Sequence, residues 1–131
     1  MLRKIKNWFS KNDDNIEFHT PQNQEAKFIL KVDGILMGTL SYEKGYWHFA
    51  YTDEFKKHIR DYNLIVGFPD VNKTYQSEIL WPFFQIRIPG LKQPAIKEIL
   101  EKENINEANE VELLKRFGKK SISNPYELTF S

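Results

Sequence analysis

The chain has 131 residues, 40% hydrophobic and 15% aromatic, which suits one domain with a real core and leaves too little for two. Its 19 Lys and Arg against 18 Asp and Glu give a net charge of +1, so no overall field favours nucleic acid or an anionic membrane. The absence of cysteine excludes a disulfide framework, a thiolate nucleophile and a cysteine-based metal site, and it fits a reducing cytoplasm.

Residues 1–26 read as an extension. Leu2, Ile5 and Phe9 share one helical face ringed by Arg3, Lys4, Lys6 and Lys11, and Asn, Asp and Gln dominate from there through Gln24. This predicts a short amphipathic helix and a linker, docked on the domain itself or, through its basic residues, on DNA or lipid. The basic start is followed by Ser10-Lys11-Asn12-Asp13-Asp14, so the apolar run of a secretion signal is missing, and no stretch approaches membrane-spanning length.

Residues 27–131 form the predicted domain. Phe28, Leu30 and Val32 alternate with polar or outward positions, and Asp33-Gly34 marks a hairpin turn that needs positive φ. Ile35 to Leu40 is the returning strand, in which Gly38 signals a bulge or a close backbone approach. Glu43-Lys44-Gly45 makes the next turn, and Tyr46 to Tyr51 closes an antiparallel meander with Trp47, Phe49 and Tyr51 on one face and Tyr46, His48 and Ala50 on the other. Thr52-Asp53 is placed to cap a brief helix from Glu54 to Ile59, and Leu64 to Phe68 reads as a buried strand.

The densest apolar segment runs from Ser77 to Gly90. The residue before a proline is pushed out of the α region, so Trp81 is expected in extended geometry before a short helix that opens with Pro82. Leu80, Phe83, Phe84 and Ile86 are expected in the core. Trp81 has two readings, core filler and partner anchor, because Trp is rarely fully buried and is enriched in interface hot spots. Gln85 and Arg87 are weaker partner-binding candidates, their alternative being ordinary surface polarity. Pro94 starts another helix with Ile96, Ile99 and Leu100 on one stripe, running to about Asn104. Asn106 or Asn109 can cap a third, the latter with Glu112 as in a capping box; its Val111, Leu114 and Phe117 face the core and Gly118 closes it, and Tyr126 to Phe130 alternates as a final strand. The fold class is therefore α+β: a small antiparallel sheet, meander plus last strand, with about three short helices on one face.

No catalytic, cofactor or metal site can be assembled from these residues. His19, His48 and His58 lack ligand spacing, and there is no Gly-rich phosphate loop or nucleophile elbow. His58-Ile59-Arg60-Asp61-Tyr62-Asn63 approaches a kinase catalytic loop but carries an extra residue inside its His-Arg-Asp core and places Asn too soon after Asp. Asp13 with Asp14 and Glu101 with Glu103 lie in charged surroundings that give no reason for a perturbed pKa.

One succession of motifs does point to a family. Val32-Asp33-Gly34, Gly38-Thr39-Leu40, Trp47-His48-Phe49-Ala50-Tyr51, Gly67-Phe68-Pro69-Asp70, Tyr75-Gln76-Ser77 and Leu80 to Pro89 are followed by Glu112 to Gly118 and Asn124 to Leu128. In order and spacing they resemble the small N-terminal subdomain of HipA-type toxin kinases, over residues 27–130. Because the sequence stops at Ser131, it resembles the free-standing form, the HipS antitoxins of three-gene HipBST systems. The resemblance implies a cytoplasmic, non-enzymatic antitoxin without cofactor that binds and inhibits a HipT-like serine/threonine kinase. A HipB-like DNA-binding repressor would join through a ternary complex, without direct nucleic-acid or membrane contact. Trp81, Pro82, Phe83, Gln85 and Arg87 are then the partner-binding candidates, with Trp81 reaching the kinase nucleotide site; HipA kinases often have Phe where this chain has Trp81. The alternative is a non-inhibitory accessory subunit that stabilises a kinase–repressor–DNA complex, for which the basic arm is the only support.

Overall fold

Two two-residue turns lay out the sheet. Asp33 and Gly34 take φ of 51° and 79°, and Lys44 and Gly45 take 53° and 86°, the mirror-image turn geometry whose twist matches that of the flanking strands. They join β1 (Ala26–Val32), β2 (Ile35–Glu43) and β3 (Tyr46–Tyr51) into the expected meander. A short β4 (Tyr75–Ser77) pairs with β3, and the last strand, β5 (Tyr126–Phe130), pairs with β1, giving the antiparallel order β4-β3-β2-β1-β5. The computed structural model describes residues 18–119 and 125–131; the helix expected from Leu2, Ile5 and Phe9 falls outside them.

Four short helices accompany the sheet among the described residues: α1 (Asp53–Lys56), α2 (Pro82–Gln85), α3 (Pro94–Lys102) and α4 (Glu110–Phe117). Their ends follow from the sequence. The Thr52 hydroxyl accepts from the Phe55 amide at 3.1 Å, and Asn109 Oδ1 accepts from the Glu112 amide at 3.2 Å. At the end of α3, Asn104 takes φ 54° while its amide donates to Glu101 and that of Ile105 to Leu100, the paired bonds that close a helix at a left-handed residue. Ile105 and Leu100 pack in the same small apolar cluster, which completes that stop.

Gly38 serves both purposes read from the sequence. Leu30 pairs with Gly38 but Lys31 with Leu36, leaving Met37 as the extra residue of a bulge. A Cβ on Gly38 would lie 2.6 Å from the Phe49 ring, closer than carbon atoms approach. That ring is the hub of the core: it meets Phe68 at 4.5 Å, Tyr51 at 5.2 Å and Phe84 at 5.6 Å. As expected, Trp47, Phe49 and Tyr51 are buried on one face of β3 while Tyr46 is exposed and His48 and Ala50 are half-buried on the other.

Residues 18–25 carry no regular structure but are tied to α4. Glu110 donates its amide to Thr20 Oγ1 at 3.1 Å, Asn109 Nδ2 donates to Gln24 Oε1 at 2.8 Å, and Gln24 Nε2 donates to Glu112 Oε2 at 2.8 Å. The Glu112 side chain therefore faces Gln24 and Lys115 instead of closing a reciprocal capping box.

Leu64 to Phe68 is not a strand. Phe68 donates its amide to the Ile65 carbonyl at 2.9 Å, closing a tight turn in which Gly67 takes φ 99°, and Val66 at the tip is 92% exposed. The apolar run that suggests a buried strand is instead a turn whose two ends, Ile65 and Phe68, are both buried. The buried Tyr51 hydroxyl replaces a strand partner, accepting from the Ile65 amide at 3.0 Å and donating to the Phe68 carbonyl at 2.7 Å. Burial, partly offset by the Ile65 bond, raises its pKa from 10.0 to about 12. Below pH 10 the phenol is protonated in both folded and unfolded chains; between about 10 and 12 only the unfolded chain ionises, so stability falls as pH rises through this window. Tyr51→Phe strands a buried amide and carbonyl and should cost about 1–3 kcal/mol at neutral pH, while flattening the alkaline loss; urea melts at pH 7 and pH 10.5 check both.

Candidate functional site

The segment from Ser77 to Gly90 is one helical turn with tight extensions at both ends. Ser77 Oγ accepts from the Ile79 amide at 3.0 Å and starts the bend. Trp81 is extended (φ −67°, ψ 149°) and Pro82 occupies the first helical position, as the proline rule requires. Past Gln85, Arg87 donates its amide to Phe84 at 3.1 Å and Ile88 to Gln85 at 3.0 Å, so helical spacing persists through Ile88.

That spacing decides which side chains face in. Leu80, Phe84, Arg87 and Leu91 follow one another at steps of four, three and four, and all four are buried. Pro82 and Ile86, four apart, are exposed on the other side, with Trp81 and Gln85, also four apart, half-buried beside them. Ile86 and Arg87 thus exchange the places expected from their chemistry: Ile86 is 56% exposed and Arg87 only 3%. Sequence reasoning missed Ile86 because hydrophobicity outweighed its spacing from Pro82.

The candidates separate into two groups. The Trp81 indole stands edge-on to Phe68 at 5.1 Å, and Phe68 in turn meets Tyr75 at 5.0 Å, so the indole has a fixed aromatic floor and an open outer side. Phe83 leans the other way, against Tyr126 at 5.4 Å and Phe84 at 5.1 Å, with the Arg87 guanidinium 5.9 Å from its ring centre. Tyr51, Phe68 and Tyr126, which support these side chains, were not singled out; only pairing across distant segments identifies them.

Arg87 is a buried staple. Its Nη1 donates to the Gly118 carbonyl at 2.8 Å and the Lys119 carbonyl at 3.3 Å, and its Nη2 to the Tyr126 carbonyl at 2.9 Å. Gly118 caps α4 and Lys119 follows it, its carbonyl also accepting from the Leu128 amide at 2.9 Å; carbonyls at a helix end and the helix dipole gather negative potential there, so a planar cation with several donors fits. Burial lowers the pKa of Arg87, yet carbonyl bonds hold the charge. α2, the end of α4 and β5 are thereby locked together.

Elsewhere the chemistry is sparse. Among the described residues no cluster of three His, Asp or Glu side chains is placed to hold a metal ion, and no helix is long and apolar enough to cross a membrane. His58 and Asp61 approach to 4.0 Å at the surface after α1. An open crevice of about 370 Å³ at the end of α3 is lined by Lys97, Leu100, Glu101, Asn104, Ile105 and Glu107, none of them a candidate residue. What the segment leaves outward is an aromatic and aliphatic surface made by half-buried Trp81 and exposed Pro82 and Ile86.

Residues 29–122 match the family described as HipA N-terminal domain, which covers the meander from Ile29 onward, the turn at Gly67 and the four described helices. A search of curated proteins gives no match. Since that match spans well over half of the sequence, the chain belongs to the HipA N-terminal domain family.

Proposed function

We propose that this chain acts as a HipS-type antitoxin, binding a HipT- or HipA-like serine/threonine kinase and holding it inactive. The outward face of α2 is the contact, with Trp81 as the anchor at the kinase nucleotide site, Pro82, Gln85 and Ile86 around it, and Phe83 and Arg87 supporting it from behind. The observation that carries this reading is the half-buried indole, fixed at the start of α2 against Phe68 and flanked by exposed apolar side chains. A large rigid side chain on a pre-ordered base loses little conformational entropy on binding, which is what interface anchors require. Family membership supports association with a HipA-like kinase. A HipB-like repressor would then be reached through the kinase.

Co-expression with a HipA-like serine/threonine kinase from the same genome tests it. Growth rescue together with a stable co-purified complex is the expected outcome. Co-purification without rescue would replace inhibition with the accessory role, and no association would remove the kinase as partner.

A further inference from the structure

We infer that the open crevice at the end of α3 is the docking site of this chain's own residues 1–11, an inference independent of the antitoxin reading. The crevice, about 370 Å³, has an apolar floor in Leu100 and Ile105 and a rim of Lys97, Glu101, Asn104 and Glu107. The course of the chain selects the occupant. Phe18, the first described residue, packs into the cluster that holds Leu100 and Ile105, and the His19 amide donates to the carbonyl of Ala108, the neighbour of Glu107. The chain preceding Phe18 therefore leaves the domain beside the crevice. The stretch from Asn12 to Glu17, which carries Asp13, Asp14 and Glu17, spans at most about 20 Å when extended, so it keeps residues 1–11 within reach at high effective concentration.

The chemistry of the two surfaces is complementary. At helical spacing Leu2, Ile5 and Phe9 make one apolar stripe, and Arg3, Lys4, Lys6 and Lys11 surround it with no acid among residues 1–11. Of the charges around the crevice, Glu98 faces Lys102 at 4.0 Å and Glu103 pairs with Arg116 at 2.8 Å. Glu101 and Glu107 form no such pair among the described residues, and Lys97 is the one cation in the lining, so the rim keeps a negative excess. In the docked arrangement Ile5 and Phe9 cover Leu100 and Ile105, and the basic side chains meet Glu101 and Glu107. The same basic residues are thereby withdrawn from DNA, on which the accessory alternative depends.

Hydrogen exchange of the full chain, read residue by residue by NMR, tests this. A free segment of this length is at best marginally helical in water, so protection of the amides of residues 6–9 requires docking. Their exchange should be about tenfold slower in the wild type than in the double variant Glu101→Lys with Glu107→Lys, whose melting temperature should be unchanged because both glutamates are exposed. Adding Lys4→Glu and Lys6→Glu to that variant should restore part of the protection by exchanging the two charges. Protection that survives the Glu101→Lys, Glu107→Lys change would place the segment elsewhere, and absence of protection in the wild type would leave the crevice without this occupant; either result overturns the inference.

Discussion

Arg87→Met should lower the unfolding free energy by about 3–5 kcal/mol, read as a fall in the urea midpoint with little change in slope. Methionine fills a similar volume but leaves the Gly118, Lys119 and Tyr126 carbonyls without the guanidinium donors that now reach them. For a domain whose total stability is on the order of 5–15 kcal/mol, that loss is a large fraction. Arg87→Lys should recover only part of it, because a single ammonium nitrogen cannot span carbonyls served by two separate guanidinium nitrogens. A midpoint shift worth less than about 0.5 kcal/mol in Arg87→Met would mean that water reaches these carbonyls and that the staple adds no stability.

Trp81→Ala should weaken kinase binding about 30- to 1000-fold, the range that corresponds to losing roughly 2–4 kcal/mol of a buried aromatic anchor. Because the indole also rests on Phe68, the same change removes a contact inside the free domain. Trp81→Phe separates the two effects: it retains an aromatic ring over Phe68 but shortens the reach toward the partner, so it should preserve the melting temperature while losing most of the affinity. Salt gives an independent reading. An aromatic contact changes little between low and moderate ionic strength, whereas assembly through Arg3, Lys4, Lys6 and Lys11 on DNA would fall steeply. Full neutralisation of the kinase by a folded Trp81→Ala variant would remove the indole from the mechanism.

The meander was legible because each strand boundary carries its own local chemistry: Asp33-Gly34 and Lys44-Gly45 can adopt the backbone that a tight hairpin demands, and Gly38 lies where any side chain would strike Phe49. Trp81 and Pro82 were legible for the same reason, since proline dictates the geometry of its neighbour as well as its own. Leu64 to Phe68 was not, because a turn with two buried ends and a strand share the same apolar pattern, and the hydroxyl that decides between them belongs to Tyr51, more than a dozen residues earlier. Arg87 was misplaced at the surface because its partners, the Gly118, Lys119 and Tyr126 carbonyls, are backbone atoms that no sequence pattern displays. Ile86 was misplaced in the core for the complementary reason: in so short a helix, the inward side was taken by Phe84 and Arg87.

The pairing of β5 with β1 has a consequence for how the chain is made. Phe28 lies opposite Phe130, a separation in sequence of 130 − 28 = 102 residues, so this ladder forms only after nearly the whole domain has left the ribosome. Until then the hydrogen-bonding edge of β1 stands open, and closing so long a loop is entropically slow compared with forming the two hairpins. The nascent chain therefore passes through an interval in which a meander with one unsatisfied border is most exposed to pairing with a neighbour, and synthesis of residues 126–130 ends it.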